Sequence, residues 1–432
     1  MRKILVFALI AMLLSSSSAL LAQEEEIELR IAWWGSQNRH DRTLAVIDMF
    51  MAEHPNITVI SEFAAWDDYW VRMATQAAGQ EMPDIMQQDY ARINEWVSRD
   101  LLLPLDDLVA SGAIDLSNVA EASLAGGRID DVLYAINLGN NAQAVALDVD
   151  AFEQAGMELP DPQWTWTEFE AVANELHEKL GIWGMGTNPG LSNYELWKDL
   201  YMSCCDQWTT SPDGTELGYA DDQPLIDYFN MLVRLQDSGA MITREEEVAE
   251  FTGTGVETNP LVTGDSAMGY FWSNQLVAVW TAAGEDRNFK LWFVPRVEDA
   301  YSANYIKPSM FWSITKQSEH AEEAAMFIDF FTNSVEANEV LGAERGVPVS
   351  SAVREAMMPS LGPAQAEMFE FLSRVEEDTM PIRPPDPPGW GDILNNVYWP
   401  MFVDPVLYGQ MPVEEGVAIL RQEATTILAQ NQ

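Results

Sequence analysis

The residues best suited to hold a ligand in this chain are its tryptophans, sixteen in all. Several stand just past short apolar runs that read as strands: Trp33 and Trp34 after Ile27–Ala32, Trp66 after Ile57–Phe63, and Trp272 after Ala267–Phe271. Trp312 lies inside the run Met310–Ile314, and Trp390 follows a proline-rich stretch. An indole needs a partner for its N–H when buried, which suits it to a half-wet surface. Ligands of open α/β sheets bind outside the carboxyl ends of the strands. Flat amphipathic rings at those ends fit a ligand with an apolar face and a hydroxylated rim, as a sugar has.

Trp34 and Trp66, following the first two predicted strands, are expected to stack on such a ligand. Trp272 and, less directly, Trp312 and Trp390 are the other stacking candidates. Trp183 and Trp197 are plausible walls, while Trp33, Trp164, Trp166 and Trp399 read as packing residues. Asp67 either accepts sugar hydroxyls or caps the helix that starts beside it. Asp89 follows the third strand and is a candidate polar contact, a role that the family resemblance given below implies. Arg39 could pair with a ligand carboxylate, form a salt bridge with Asp41, or donate to a neutral sugar; Arg345, before Gly346-Val-Pro, is a second cation of this kind.

These positions need a scaffold. Ile27, Leu29, Ile31 and Trp33 repeat with period two, whereas Leu44, Ile47, Phe50 and Met51 share one helical face. Ile57–Phe63 is again strand-like, 67–78 helical, and 83–86 a short buried strand. Such βαβ units imply a parallel sheet with helices on both faces. From about 150 to 238 helices predominate, 267–330 returns to short strands, and helices occupy 364–375 and 413–428. No internal repeat is present.

The first 22 residues read as a secretory signal: Arg2 and Lys3, an apolar run from Ile4 to Leu14, then small residues up to Ala22. No cysteine adjoins the cleavage point, so a lipid anchor lacks its acceptor. The mature protein is therefore expected to be exported and soluble. A net charge of −45 argues against nucleic acid or an anionic membrane as partner. It also fits a salty habitat, or simply an acidic exported protein. The adjacent pair Cys204-Cys205 is open to a vicinal disulfide. No Gly-x-Ser-x-Gly elbow, His-Glu-x-x-His or phosphate-cradling glycine loop occurs, and the four histidines are scattered, so no catalytic residue, metal site or cofactor is expected. A hidden glycosidase pair among 68 carboxylates is the enzymatic alternative.

The chain resembles the extracellular solute-binding proteins of bacterial ABC importers, in the carbohydrate-binding family that includes maltodextrin binders. The likeness is carried by Leu29-Arg-Ile-Ala-Trp-Trp-Gly, Phe50-Met-Ala-Glu-His-Pro-Asn-Ile-Thr-Val, Ala77-Ala-Gly-Gln-Glu-Met-Pro-Asp-Ile and Leu102-Leu-Pro-Leu-Asp-Asp-Leu. It continues through Ala151-Phe-Glu-Gln-Ala-Gly-Met-Glu-Leu-Pro with Trp164-Thr-Trp-Thr-Glu-Phe, Gly264-Asp-Ser-Ala-Met-Gly and Ala324-Ala-Met-Phe-Ile-Asp-Phe. Leu147-Asp148 departs from the Tyr-Asn often found in the family. The Trp33-Trp34-Gly35 turn with Arg39-His40 is most similar to the oligogalacturonide-binding branch.

The resemblance implies an α/β, two-lobed periplasmic-binding-protein fold, each lobe a mainly parallel sheet flanked by helices, the two joined by hinge strands. Lobe 1 would comprise 27–138 plus 299–345, and lobe 2 142–295 plus 348–432. The chain would cross near Asn137–Gln143, Val294–Asp299 and Gly342–Val349, with Asn137 added to the ligand set. It further implies a monomer that closes over an oligosaccharide, neutral or uronic, and docks on a membrane permease. A chemosensory or surface carbohydrate-binding role without a transporter is the other alternative.

Overall fold

The computed structural model describes residues 26–35, 37–186, 191–251, 255–284, 286–384 and 386–431; the signal-peptide stretch lies outside them. Five strands form one sheet in the spatial order Ile57–Ala64, Ile27–Trp34, Ile85–Gln88, Phe311–Ile314, Ile136–Asn137. The first three run parallel, as βαβ connections require, and Phe311–Ile314 is antiparallel to both its neighbours. A second sheet takes the order Phe289–Trp292, Gln143–Asp148, Ser266–Trp272, Trp183–Met185, with only the last pair parallel. The sheets are thus mixed rather than mainly parallel. The reason is the connectivity: strands that enter a sheet after crossing from the other one arrive against its direction.

Each sheet organises its own core. In the first strand Leu29, Ile31 and Trp33 are fully buried, and so is Ala32, because helices cover both faces. In Gln143–Asp148 the period-two alternation divides the residues between two cores. Val145 and Leu147 pack with Met268 and Tyr270 on one face, Ala144 and Ala146 with Phe271 and Leu291 on the other. The Trp164-Thr-Trp-Thr-Glu-Phe motif starts the Trp166–Leu180 helix. Thr165 Oγ1 accepts from the Glu168 N–H at 3.2 Å, and Glu168 Oε2 accepts from the Thr165 N–H at 2.7 Å. Trp164 itself is buried, its indole donating to the Phe293 carbonyl at 2.8 Å.

Three segments connect the sheets and meet. Asn140–Asn141 pairs antiparallel with Lys307–Pro308, and Asn140 exchanges two main-chain hydrogen bonds with Val347 at 2.8 and 3.0 Å. The pairing at Lys307–Pro308 lies beyond the Val294–Asp299 stretch expected to cross. The intervening residues stay with the second sheet: the Val294 N–H donates to Asn304 Oδ1, and the Asn304 side chain donates to the Gln143 carbonyl. Glycine is required where the segments touch. A Cβ on Gly139 would sit 2.8 Å from the Arg345 carbonyl oxygen, and Gly346 has φ +116° with the Asn140 carbonyl oxygen 2.9 Å from its missing Cβ.

Cys204 and Cys205 end the Tyr194–Cys205 helix joined in a vicinal disulfide.

Candidate functional site

Between the lobes, at the meeting of the three connecting segments, lies a cavity of about 250 Å³. Arg39, Glu344 and Arg345 form one wall, Asn141 and Lys307 the floor at the crossing, and Trp272 the far wall. Larger hollows of about 510 and 600 Å³ exist, but their walls come from the second lobe alone. A ligand there would contact nothing that moves on closure, so the interlobe cavity is the candidate site.

Trp272 ends the Ser266–Trp272 strand half-buried, with its main-chain N–H held by Gln275 Oε1 at 2.9 Å. Tyr305 stands edge-on to its ring at 6.2 Å, and Lys307 Nζ lies 5.3 Å from the ring centroid. Trp66 starts the Trp66–Gly79 helix at the end of the second strand and is 38% exposed, which leaves ring surface open to a ligand. Trp34 lies beneath it, edge-to-face at 4.9 Å, and packs on Tyr69 and Trp70. Trp34 therefore supports the Trp66 platform rather than forming its surface. Asp67 follows Trp66 in the helix; its side chain lies outside the described residues.

The charged candidates are largely committed to the protein. Arg39 forms a two-pronged ion pair with Glu344, its Nε 2.9 Å from Oε2, so its carboxylate partner is Glu344 and not Asp41. Arg345 is buried and ties three elements together, donating to Gln87 Oε1 at 3.3 Å and Thr43 Oγ1 at 2.9 Å. Burial, with Arg39 nearby, lowers its pKa to about 9. Asp89 Oδ1 accepts from the Ala91 N–H at 2.9 Å, in a turn beyond the third strand. Asn137 is buried and donates to Asn140 Oδ1 at 2.7 Å, so it organises the crossing.

Two tryptophans are not brought to the cavity. Trp312 is fully buried against Phe327 and Phe331, because both faces of its strand are covered. Trp390 is 3% exposed and stacks on Trp197 at 5.3 Å within the second-lobe core.

The proline-rich loop carries Arg383, which was not legible in the sequence, into a buried charge cluster beside the cavity-lining Lys307 segment and outside the cavity lining itself. Its guanidinium pairs with Glu195, lies 3.1 Å from Asp199 Oδ1 and donates to the Tyr305 hydroxyl, while its carbonyl accepts from the Tyr90 hydroxyl of the first lobe. Burial raises the Glu195 carboxyl, but Arg383 and Lys198 outweigh it and hold it at about 2. Asp199, more deeply buried and with neither oxygen in hydrogen-bond geometry, is pushed up to about 7 in spite of Arg383. Half-buried Trp208 packs with Trp272 and Ile382 around Met202, Tyr305 and Met380, a second aromatic missed in the sequence. The available signal was Glu195, Lys198 and Asp199 at helical spacing on one face.

Two lobes, three connecting segments and a polar cavity between them, walled on one side by Trp272, have the architecture of a solute receptor. Residues 45–366 match the family described as bacterial extracellular solute-binding protein, and the chain belongs to that family. Among solved structures it is similar to an extracellular solute-binding protein, family 1, from Alicyclobacillus acidocaldarius: 28% identity, 94% of this chain and 100% of that one covered, TM-score 0.82. A periplasmic oligogalacturonide-binding protein from Yersinia enterocolitica, solved with saturated digalacturonic acid, shares the fold at 24% identity, 94% and 100% coverage and TM-score 0.72. A Streptomyces antibioticus protein described as an uncharacterized lipoprotein in the oleD 5′ region is 22% identical over 340 residues, 76% of this chain and 71% of its own length.

Proposed function

We propose that this protein captures an oligosaccharide in the interlobe cavity and presents it, as a monomer, to the membrane permease of an ABC importer, without chemical change to the sugar. The observation that carries the reading is Trp272: a half-buried ring at a strand end, facing a polar cavity shared by both lobes. Asn141 Oδ1 and Arg345 Nη1, on residues that line the cavity, make no hydrogen bond within the protein. The ligand of the Yersinia relative, a sugar acid dimer, is of the size and chemistry that supports this assignment. The lobe boundaries follow the crossings at Asn140–Asn141, Lys307–Pro308 and Gly346–Val347. Export after signal cleavage at about residue 22 completes the reading.

The mechanism is capture on one lobe followed by closure of the other. Contacts from both lobes to one ligand favour the closed state by their combined free energy, and the glycines at the crossings accommodate the rotation. Closure expels water and strengthens the polar contacts made by Asn141, Lys307 and Trp272's neighbours.

Calorimetric titration against neutral and uronic oligosaccharides should detect binding of at least one class, with the recovered glycan intact. No binding to any would refute the carbohydrate assignment, and cleaved glycan would refute the non-enzymatic one. Trp272→Ala should weaken binding at least tenfold, ~1.4 kcal/mol, with little change in unfolding temperature.

A further inference from the structure

We infer that the cavity selects an oligosaccharide bearing carboxylates, a uronic acid chain, and that Lys307 is the cation that receives them. The inference rests on the oligosaccharide reading above and adds the charge of the ligand.

The chain holds 68 acidic against 23 basic side chains, so a cation that lacks a carboxylate partner is unusual here. Most described arginines and lysines have a carboxylate oxygen within 4 Å, from Arg30 with Glu62 to Arg421 with Asp222. Arg42 donates to the Val340 and Leu341 carbonyls. Among the described residues, those left without an ion pair are Arg72, which is exposed, and Arg92 and Lys307, which are half-buried.

Lys307 has a further property: it lines the interlobe cavity beside a tryptophan, its Nζ 5.3 Å from the Trp272 ring. Arg92 lies against Trp70 and Trp66, at 4.7 and 5.5 Å, and none of these three lines that cavity. Asp89 and Glu195 act on Lys307 only from beyond 4 Å, and burial holds its ammonium below the ordinary pKa. The cavity therefore presents three cations, Arg39, Lys307 and Arg345, against one carboxylate, Glu344, which Arg39 already engages.

A buried cation without a partner is costly, and a ligand anion removes that cost. A pyranose that stacks its C–H face on a tryptophan projects its C5 substituent from the ring edge. If that substituent is a carboxylate, it meets the cation beside the same ring. A neutral sugar satisfies the ring and leaves the cation unmatched, so the pairing of ring and cation in the cavity specifies the acid.

The test uses the mature full-length protein and calorimetry. Titrants are oligogalacturonates and oligoglucuronates, their methyl esters, sulfated oligosaccharides and neutral malto- and xylo-oligosaccharides, at low and high salt. The expected result is binding of free uronates that weakens with salt and falls at least tenfold on esterification. Lys307→Met, which keeps an apolar stem over the ring, should reduce uronate affinity severalfold and shrink the acid-to-ester ratio. Its unfolding temperature checks that the variant folds. Tighter binding of neutral or sulfated sugars, or an acid-to-ester ratio untouched in the folded variant, overturns this inference and leaves the oligosaccharide reading standing. Absence of binding to every titrant overturns both.

Discussion

Arg383→Met is expected to lower stability by about 3–5 kcal/mol at neutral pH, the range for breaking a buried ion pair by removing one partner. The guanidinium sits over Glu195 and Asp199 on the Tyr194–Cys205 helix and donates to the Tyr305 hydroxyl. Without it, two buried carboxylates face each other with only the weaker fields of Lys198 and, farther off, Lys307 to offset them. The loss should depend on pH. In the native protein Glu195 is held at about 2, below its unfolded value, so its contribution is present above roughly pH 4.5 and disappears as pH falls toward 2. Asp199, pushed up to about 7, acts with the opposite sign: the folded protein keeps this proton longer, and stability falls as pH rises from about 4 to 7. In the variant both carboxyls should titrate upward and fold protonated. Denaturant unfolding should then show wild type and Arg383→Met separated widely near pH 8, the gap narrowing at pH 4 and closing only toward pH 2. A gap of equal size across this pH range would show that Arg383 acts through packing alone.

Trp312→Ala is the second large effect, about 3–5 kcal/mol of stability, as for other large-to-small aromatic truncations in cores. The ring is fully buried against Phe327 and Phe331 in the first-lobe core, and its removal leaves a cavity that rigid neighbours on a sheet and a helix cannot fill. Ligand affinity, measured well below the unfolding temperature, should change little. Trp272→Ala should give the reverse pattern, affinity lost and stability kept. Denaturant curves and titrations on both variants check the contrast; a tenfold affinity loss in Trp312→Ala would place that ring in the binding path after all.

These two tryptophans also show where sequence reasoning reached and where it stopped. The α/β alternation, the strand Ile27–Trp34 and the capping motif at Thr165 were legible because each is local, set by periodicity or by a side chain three residues away. Trp272 was legible because it ends its strand. Trp312 lies inside Phe311–Ile314, where all four residues are buried, so a period of two cannot separate a core face from an open one. Charge partners were harder still. Arg39 finds Glu344 305 residues away, and Arg383 finds Glu195 188 residues away, separations that no pattern in a single sequence reveals. The same limit applies to Trp390, whose stacking on Trp197 depends on how the proline-rich loop packs back on a distant helix.

The hinge follows a similar logic. Gly139 and Gly346 look like ordinary loop glycines in the sequence, and only the meeting of three segments shows that a side chain at either would collide with the main chain. The crossing at Lys307–Pro308 is placed by hydrogen bonds that keep 293–304 on the second lobe, again a long-range effect.

The most direct measurement is a crystal structure of the protein with the tightest-binding oligosaccharide from the titration panel. The account predicts sugar in the cavity between the lobes, one ring against Trp272 beside Lys307, with the first-lobe wall of Arg39, Glu344 and Arg345 closed toward it. Sugar seated instead in the second-lobe hollow lined by Trp166, Tyr228 and Arg296, with the interlobe cavity left empty, would contradict it.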